Sequence, residues 1–210
     1  MNNYCLTTTW ECNWDCPYCI VDTHSQKQIT IEQIKQKLKL IKPKSTVSLS
    51  GGEPGMLKED NLKFIIDELL KKECEITVNT NGLFFKKYHK FDKYIQSYLY
   101  HCTENIDNDI IIPEKIDLNK IDFMIVVTDN NMTNLKSFLE KYKDLNIKVF
   151  GADKCTVNGK EGEYLSKRNA FKIIKEYKHL FNPDSILYLL NRCSEVNEHK
   201  HDNDEYLQRV

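Results

Sequence analysis

Short apolar runs alternate along the chain with longer segments whose apolar residues recur at helical spacing. The short runs are rich in β-branched and aromatic residues, which favours strands. They predict six strands, at residues 4–10, 45–50, 75–80, 98–103, 122–128 and 147–150. The longer segments predict helices at residues 30–40, 61–72, 87–96, 134–142 and 166–181. A last short strand is predicted at residues 186–190.

This alternation predicts an α/β fold built on a parallel sheet with right-handed crossovers. Six βα units form either an open doubly wound sheet or a partial barrel. In both architectures the loops after the carboxyl ends of the strands build the active site. We therefore expect four segments at one rim of the sheet: a cysteine-containing loop after the first strand, the turns at residues 51–54 and 79–82, and Thr103 with Glu104.

The cysteine loop contains Cys12, Cys16 and Cys19 at the spacing C-x3-C-x2-C. Such short gaps let one compact loop point three thiolates at a common centre, which suits a metal or a cluster better than pairwise disulfides. A [4Fe–4S] cubane takes one ligand per iron, so three cysteines would leave the fourth iron open to a small molecule. A zinc site with His24 as the fourth ligand is the competing interpretation of this spacing.

Size and charge add few constraints on function. The 210 residues, with a net charge of −1, predict one domain over residues 1–190 and a charged, frayed tail over residues 191–210. No basic block with interleaved aromatic residues stands out, so nucleic acid is not indicated as a partner. No secretory signal is visible, and the longest strongly apolar run, residues 123–127, is too short to cross a bilayer. We therefore expect a soluble, cytoplasmic protein without a membrane partner.

The other cysteines are scattered singly and are expected to be reduced, buried or idle thiols in such a compartment. They are Cys5, Cys74, Cys102, Cys155 and Cys193. A second cluster on Cys155 and Cys193 is not favoured, because no C-x2-C pair lies beside either residue.

Three motifs, in this order, resemble those of the radical S-adenosylmethionine (SAM) superfamily. The cysteine loop, with an aromatic residue before its last cysteine, is similar to the cluster-binding loop of that family. Residues 50–54 (Ser-Gly-Gly-Glu-Pro) resemble its Gly-Gly-Glu motif, and residues 79–82 (Asn-Thr-Asn-Gly) resemble its Thr-Asn-Gly turn. The resemblance covers roughly residues 4–151, and it implies a partial (β/α)6 barrel with parallel strands.

The resemblance implies that Cys12, Cys16 and Cys19 hold a [4Fe–4S] cluster whose open iron is chelated by SAM. Reductive cleavage of SAM would give methionine and a 5′-deoxyadenosyl radical that abstracts hydrogen from a substrate, so the cofactors carry the difficult chemistry. The residues implied to contact SAM are Tyr18, Gly51, Gly52, Glu53, Asn79, Asn81 and Thr103. Glu104 and Lys154 are weaker candidates.

Residue chemistry suggests a role for each of these contacts. The glycines at positions 51–52 would let the backbone approach SAM without a Cβ clash. Glu53 would face the ammonium group, or would instead serve as a carboxylate at a helix N-terminus. The resemblance implies that Tyr18 lies beside the adenine. Asn79 and Asn81 would bond ribose hydroxyls or would simply shape the turn.

The substrate is not specified by these motifs and is expected to be a small metabolite, a peptide or a protein glycine. A compact core of this size resembles both the glycyl-radical-enzyme activases and 7-carboxy-7-deazaguanine synthase. In the synthase an Asp-Thr pair directly after the last cysteine helps to bind magnesium, whereas here Ile20 and Val21 precede Asp22 and Thr23. The resemblance also implies an electron donor such as flavodoxin or ferredoxin. The alternative from a different functional class is that the chain is not an enzyme but a zinc or redox-sensing module that uses the same cysteines.

Overall fold

Six consecutive strands form one parallel sheet in the computed structural model, which describes residues 2–19, 29–103, 105–106, 108–153, 156–157, 160–194 and 207–209. The strands are β1 (Asn3–Thr9), β2 (Thr46–Gly51), β3 (Glu75–Thr80), β4 (Ser97–His101), β5 (Ile121–Val127) and β6 (Lys148–Gly151). Each strand pairs in parallel with the next one in sequence. The predicted α/β fold, a partial (β/α)6 barrel with parallel strands, is confirmed.

The helices follow the predicted pattern with small shifts of their ends. They are α1 (Ile31–Leu40), α2 (Glu59–Lys71), α3 (Leu83–Tyr88), α4 (Leu135–Lys141), α5 (Lys167–Tyr177) and α6 (Asp184–Ser194). The predicted N-cap of α1 is confirmed, because Thr30 and Gln33 form a reciprocal capping box. The helix predicted at residues 87–96 begins earlier, as α3, and continues as a 3₁₀ helix over His89–Tyr94.

The last strand predicted, at residues 186–190, is wrong, because these residues lie within α6. A short apolar run does not by itself distinguish a strand from a buried helical segment. Here Ser185 and Leu189 are both fully buried, four residues apart, as expected for one face of a helix. The predicted domain boundary at residue 190 falls inside α6, and the division into a core and a tail stays a prediction.

The tail is not simply a frayed end, since β9 (Leu207–Arg209) pairs antiparallel with β1. The outer edge of β1 is therefore covered by a strand from the far end of the chain, which protects an otherwise unpaired edge. A separate two-stranded ribbon is formed by β7 (Thr156–Val157) and β8 (Lys160–Glu161). Between β4 and β5 the described residues form a 3₁₀ helix at Leu118–Lys120 but no α-helix, so the βα alternation is incomplete there.

The two faces of the sheet differ in burial. Alternate strand residues such as Leu6, Leu49, Val78 and Ile125 are fully buried in a core shared with the helices. The residues between them point to the opposite face and are only half-buried. They are Cys5, Thr7, Ser48, Ser50, Thr77, Asn79, Leu99, His101, Met124, Val126 and Phe150. This accessible inner face is polar on β1 to β3 and mostly apolar on β4 to β6.

Candidate active site

The cysteine loop is attached to the turn that follows β2. The backbone N–H of Gly52 donates to the carbonyl of Thr9 at 2.7 Å, and the N–H of Glu53 donates to the carbonyl of Glu11 at 2.7 Å. These bonds extend the β1–β2 pairing past the last paired strand residues, Thr9 and Gly51. The structure therefore brings the cysteine loop and the Gly-Gly-Glu turn together at one rim, as expected for the carboxyl ends of neighbouring parallel strands.

Within the loop, Cys16 is 9% exposed while Cys12 and Cys19 are half-buried. The N–H of Cys19 donates to the carbonyl of Cys16 at 3.1 Å, which closes a turn over residues 16–19. The Sγ atom of Cys12 accepts from the backbone N–H of Trp14 at 3.4 Å. Burial raises the pKa of the Cys12 thiol, the N–H of Trp14 opposes this shift, and the nearby acidic groups of Glu53 and Cys19 add to it.

The donor set fits an iron–sulfur cubane. Three cysteine thiols lie on one loop, and one of them already accepts hydrogen bonds of the kind that stabilise a thiolate ligand. Among the residues described, no three His, Cys, Asp or Glu side chains converge tightly enough to share a single metal ion. A cubane makes no such demand, because each thiolate binds a different iron.

The structure gives a reason within the protein for both glycines of the turn. A Cβ at Gly52 would lie 2.1 Å from the carbonyl oxygen of Glu11, and a Cβ at Gly51 would lie 2.3 Å from that of Thr9. Gly51 also has φ of +122°, a conformation that other residues rarely adopt. Both positions therefore need glycine so that the turn can pack against the start of the cysteine loop. The predicted contact of their backbone with SAM stays a prediction.

The carboxylate of Glu53 is 1% exposed and is surrounded by donors from the protein itself. It accepts from the backbone N–H groups of Gly55 at 2.8 Å, Asn81 at 2.7 Å and Phe84 at 3.1 Å, and from the hydroxyl of Thr80 at 2.8 Å. Burial raises the pKa of Glu53, and these hydrogen bonds oppose the shift.

The two oxygens of Glu53 accept hydrogen bonds inside the protein, and they join the turn after β2 to the turn after β3. One of the donors, the N–H of Phe84, lies in the first turn of α3, so the carboxylate also lies at a helix N-terminus. The predicted contact of Glu53 with the SAM ammonium group stays a prediction.

The remaining polar candidates lie in different environments. Asn79 is on the inner face of β3, where its Oδ1 accepts from the Ser48 hydroxyl at 3.1 Å and its Nδ2 donates to Ser50 Oγ at 3.3 Å. Thr103 is buried, and its hydroxyl accepts from the N–H of Asn105 at 3.2 Å while donating to the carbonyl of the same residue. The Thr103 side chain therefore shapes its own turn, whereas Asn79 belongs to the accessible face.

Asn81 connects the turn after β3 to the cysteine loop. Its Nδ2 donates to Asn13 Oδ1 at 2.9 Å and contacts Cys12 Sγ at 3.6 Å, while its Oδ1 accepts from the N–H of Leu83 at 3.2 Å. Its backbone N–H donates to Glu53. The sequence-based prediction of a ribose contact did not anticipate that this side chain would contact a cysteine of the loop.

His101 is a site residue that the sequence analysis missed. It is the last residue of β4, and its Nε2 lies 3.2 Å from the hydroxyl of Tyr18. The ring of Trp14 packs edge-on against it, with ring centroids 5.4 Å apart. Burial lowers the pKa of His101 to about 4, so the ring is neutral near pH 7. No sequence motif marks a lone histidine in a predicted strand. Only the packing of the cysteine loop against β4 shows that His101 contacts Trp14 and Tyr18 of that loop.

Removing His101 should change how stability depends on pH. In the folded protein its pKa is about 4, against the ordinary value of 6.5 in the unfolded chain, so acid protonates the unfolded chain first and destabilises the fold. From about pH 7 to about pH 5.5 this one group should cost about 1 kcal/mol. Urea unfolding at both pH values should show that His101→Gln loses less stability on acidification than the natural protein by about this amount. An equal loss in both proteins would contradict the lowered pKa of His101.

A second missed feature is the segment after β8 that crosses the cysteine loop. The N–H of Glu163 donates to the carbonyl of Pro17 at 2.9 Å, and its carboxylate accepts from the buried hydroxyl of Thr128 at 2.9 Å. The N–H of Leu165 then donates to the carbonyl of Ala152 at 3.0 Å. The loop is therefore held from two sides, by the turn after β2 and by this distant segment.

Several predicted candidates lie outside the described residues. They are Asp22, Thr23, His24, Glu104, Lys154 and Cys155. Cys193 lies in α6, but its side chain is also outside the described part. Their predicted roles stay predictions.

A parallel α/β barrel segment with a three-cysteine loop at its carboxyl-terminal rim defines a class of cluster-binding proteins. Residues 6–157 of this chain match the Radical SAM superfamily. The chain therefore belongs to the radical SAM superfamily, whose members use a [4Fe–4S] cluster and SAM. The zinc-module hypothesis is set aside in favour of this family.

The individual similarities are more distant. The chain is 26% identical over 73 residues to 7-carboxy-7-deazaguanine synthase from Haemophilus influenzae, a match that covers 35% of this chain and 33% of that protein. Its fold is similar to that of anSMEcpe with bound AdoMet and a Cp18Cys peptide, with a TM-score of 0.58, 16% identity, and coverage of 91% of this chain and 61% of the other. A structure of native anSMEcpe with bound AdoMet gives a TM-score of 0.55 and 15% identity, covering 90% and 62% of the two chains.

The matched region therefore spans one third of the synthase and about three fifths of the solved structures. At these identities the structural likeness concerns the fold. Among the described helices, none combines the length and the apolar character needed to cross a bilayer.

Proposed function

We propose that this chain is the catalytic core of a radical SAM enzyme in which Cys12, Cys16 and Cys19 are the three protein ligands of the [4Fe–4S] cluster. The observation that carries the proposal is the direct hydrogen bonding between the cysteine loop and the Gly-Gly-Glu turn at the rim of the barrel. When bound, the cluster and SAM would supply the difficult chemistry, a one-electron reductive cleavage of SAM to methionine and a 5′-deoxyadenosyl radical that abstracts hydrogen from the substrate.

The protein's own residues position these groups. The backbone of residues 51–53 is hydrogen-bonded to the chain that leads into the cysteine loop. The buried carboxylate of Glu53 accepts hydrogen bonds from the turn after β3 and so fixes the position of that turn beside the turn after β2. Tyr18, whose hydroxyl lies 3.2 Å from Nε2 of His101, would lie beside the adenine. The amide of Asn79, among hydroxyl groups on the inner face, is available to polar groups of SAM or of the substrate.

The substrate would bind along the inner face of the sheet. That face combines hydroxyl and amide groups on β1 to β3 with Leu99, Met124, Val126 and Phe150 on β4 to β6. Cys16, Tyr18 and Ala152 pack into a small buried cluster at the rim, and this cluster would help to exclude water from the radical chemistry. An external electron donor such as flavodoxin or ferredoxin would reduce the cluster.

Two substrate classes have a specific observation in their favour. The sequence similarity to 7-carboxy-7-deazaguanine synthase favours a small heterocyclic metabolite. The likeness of the fold to anSMEcpe, which was solved with a peptide, favours a peptide. A glycyl-radical-enzyme activase, acting on a protein glycine, is the third candidate, and it rests on the resemblance of the sequence, including the pair Asp22-Thr23.

The test is an anaerobic reconstitution with iron and sulfide, followed by dithionite and SAM. We expect a broad absorption near about 400 nm that is bleached by the reductant, as for thiolate-ligated clusters. Release of 5′-deoxyadenosine, assayed by chromatography, should accompany the bleaching. A colourless protein that holds stoichiometric zinc and releases no 5′-deoxyadenosine would overturn the proposal.

A further inference from the structure

One contact of the cysteine loop reaches outside the loop. The side-chain amide of Asn81, on the turn after β3, lies 3.6 Å from the Sγ atom of Cys12. The backbone N–H of Trp14 approaches the same sulfur at 3.4 Å. Both distances suit N–H donors to a sulfur acceptor, whose bonds are longer than those to oxygen. The Cys12 sulfur thus receives one donor from its own loop and one from a different strand end.

The orientation of the Asn81 amide follows from its other partners. The oxygen atom accepts from the N–H of Leu83 at 3.2 Å, which only an oxygen can do. The NH₂ group is consequently the end that faces Asn13 Oδ1 and the sulfur of Cys12. The oxygen and nitrogen are thereby assigned by the hydrogen-bond network.

Asn81 is also held in place by its backbone. Its N–H donates at 2.7 Å to the carboxylate of Glu53, which is almost fully buried. Three of its groups are therefore committed to fixed partners, and the side chain loses little further freedom by pointing at the sulfur. Such a preorganised donor is worth more than a mobile one, because no ordering cost remains.

We propose that Asn81 raises the reduction potential of the cluster by donating a hydrogen bond to the thiolate of Cys12. This inference rests on the proposed ligand role of Cys12. Adding an electron makes the cluster and its thiolates more negative, so a donor at sulfur stabilises the reduced form more than the oxidised form. Asn81 is thus a positioning and tuning residue, and the cysteine remains the ligand.

The test is a redox titration of the reconstituted protein, followed by electron paramagnetic resonance of the reduced cluster. Asn81→Ala removes the donor, and Asn81→Asp keeps an oxygen for the N–H of Leu83 while replacing the donor with an acceptor. At fixed ambient potential the ratio of reduced to oxidised cluster should fall about threefold to tenfold in Asn81→Ala, where tenfold is about 59 mV for one electron. The fall should be larger in Asn81→Asp.

Asn119→Ala is the matched control, because Asn119 is exposed and lies before the amino end of β5, at the opposite edge of the sheet. Its ratio should equal that of the natural protein. An unchanged ratio in both Asn81 variants at full iron content would overturn the inference. Failure of both variants to load iron would also overturn it, since the residue would then serve assembly rather than potential. If the natural protein itself held no reducible cluster, the ligand assignment would fail first.

Discussion

Replacing Cys16 with alanine should yield a folded protein that holds no stable cubane and releases no 5′-deoxyadenosine. Cys16 is the most buried of the three loop cysteines and lies in the middle of the loop. With two thiolates left, the cluster would have two irons without protein ligands. The measurement is iron and sulfide content after anaerobic reconstitution, followed by a SAM cleavage assay.

Cys74→Ala is the control for the loss of a buried thiol. Cys74 is 6% exposed and belongs to the main core, where its thiol faces the carbonyls of Lys42 and Lys72. This variant should lose about 1 kcal/mol of stability but keep its full iron content. A complete cluster in Cys16→Ala, or equal loss of iron in both variants, would contradict the assignment of Cys16 as a ligand.

Replacing Glu53 should destabilise the whole rim. Glu53→Ala leaves three backbone N–H groups without this acceptor, the buried ones of Gly55 and Phe84 and the partly buried one of Asn81. We expect a loss of about 2–4 kcal/mol in the free energy of unfolding, because each orphaned donor carries a desolvation cost. The measurement is urea-induced unfolding. SAM cleavage is assayed in parallel and should fall, because the turn after β2 would no longer be bonded to the turn after β3.

Glu53→Gln tests whether the hydrogen bonds that the Glu53 carboxylate accepts stabilise the protein, or whether only the volume of the side chain matters. The glutamine has nearly the same shape, and its oxygen can still accept from the N–H groups of Gly55 and Phe84, but its NH₂ group would then face the N–H of Asn81, where an acceptor is required. It should therefore destabilise the protein measurably, but by less than alanine. Glu140→Ala, which removes an exposed carboxylate 3.7 Å from Lys136, should change stability by less than about 0.5 kcal/mol. A fully stable Glu53→Gln protein would contradict the hydrogen-bonding account.

The fold was largely predictable because its elements have periodic sequences. The strand at residues 75–80 agrees with β3, and the amphipathic spacing of residues 30–40 agrees with α1 and its cap. Predictions failed where periodicity was short or absent. Residues 186–190 hold too few positions to separate the two periods, and β9 depends on a partner that is distant in sequence.

For the candidate site, sequence spacing identified the residues but not what each of them contacts. The glycines at positions 51–52 were expected to make room for SAM, and the structure adds that a Cβ there would meet the backbone at the end of β1 and of the residues that follow it. Glu53 was expected to contact SAM, and the structure adds that its carboxylate joins two turns of the protein. Neither of these contacts within the protein could be inferred from spacing, because both depend on how two strand ends pack side by side.

By itself the sequence determined the parallel α/β architecture, the three-cysteine loop and the rim on which the motifs meet. These features follow from local periodicity and from short spacings, which a single stretch of chain specifies. Only the tertiary structure decided that Glu53 braces the turns, that Asn81 reaches Cys12, and that His101 lies under Tyr18. Each of these contacts joins residues at least 27 positions apart. Such contacts arise from the packing of neighbouring strand ends, and no local pattern encodes them.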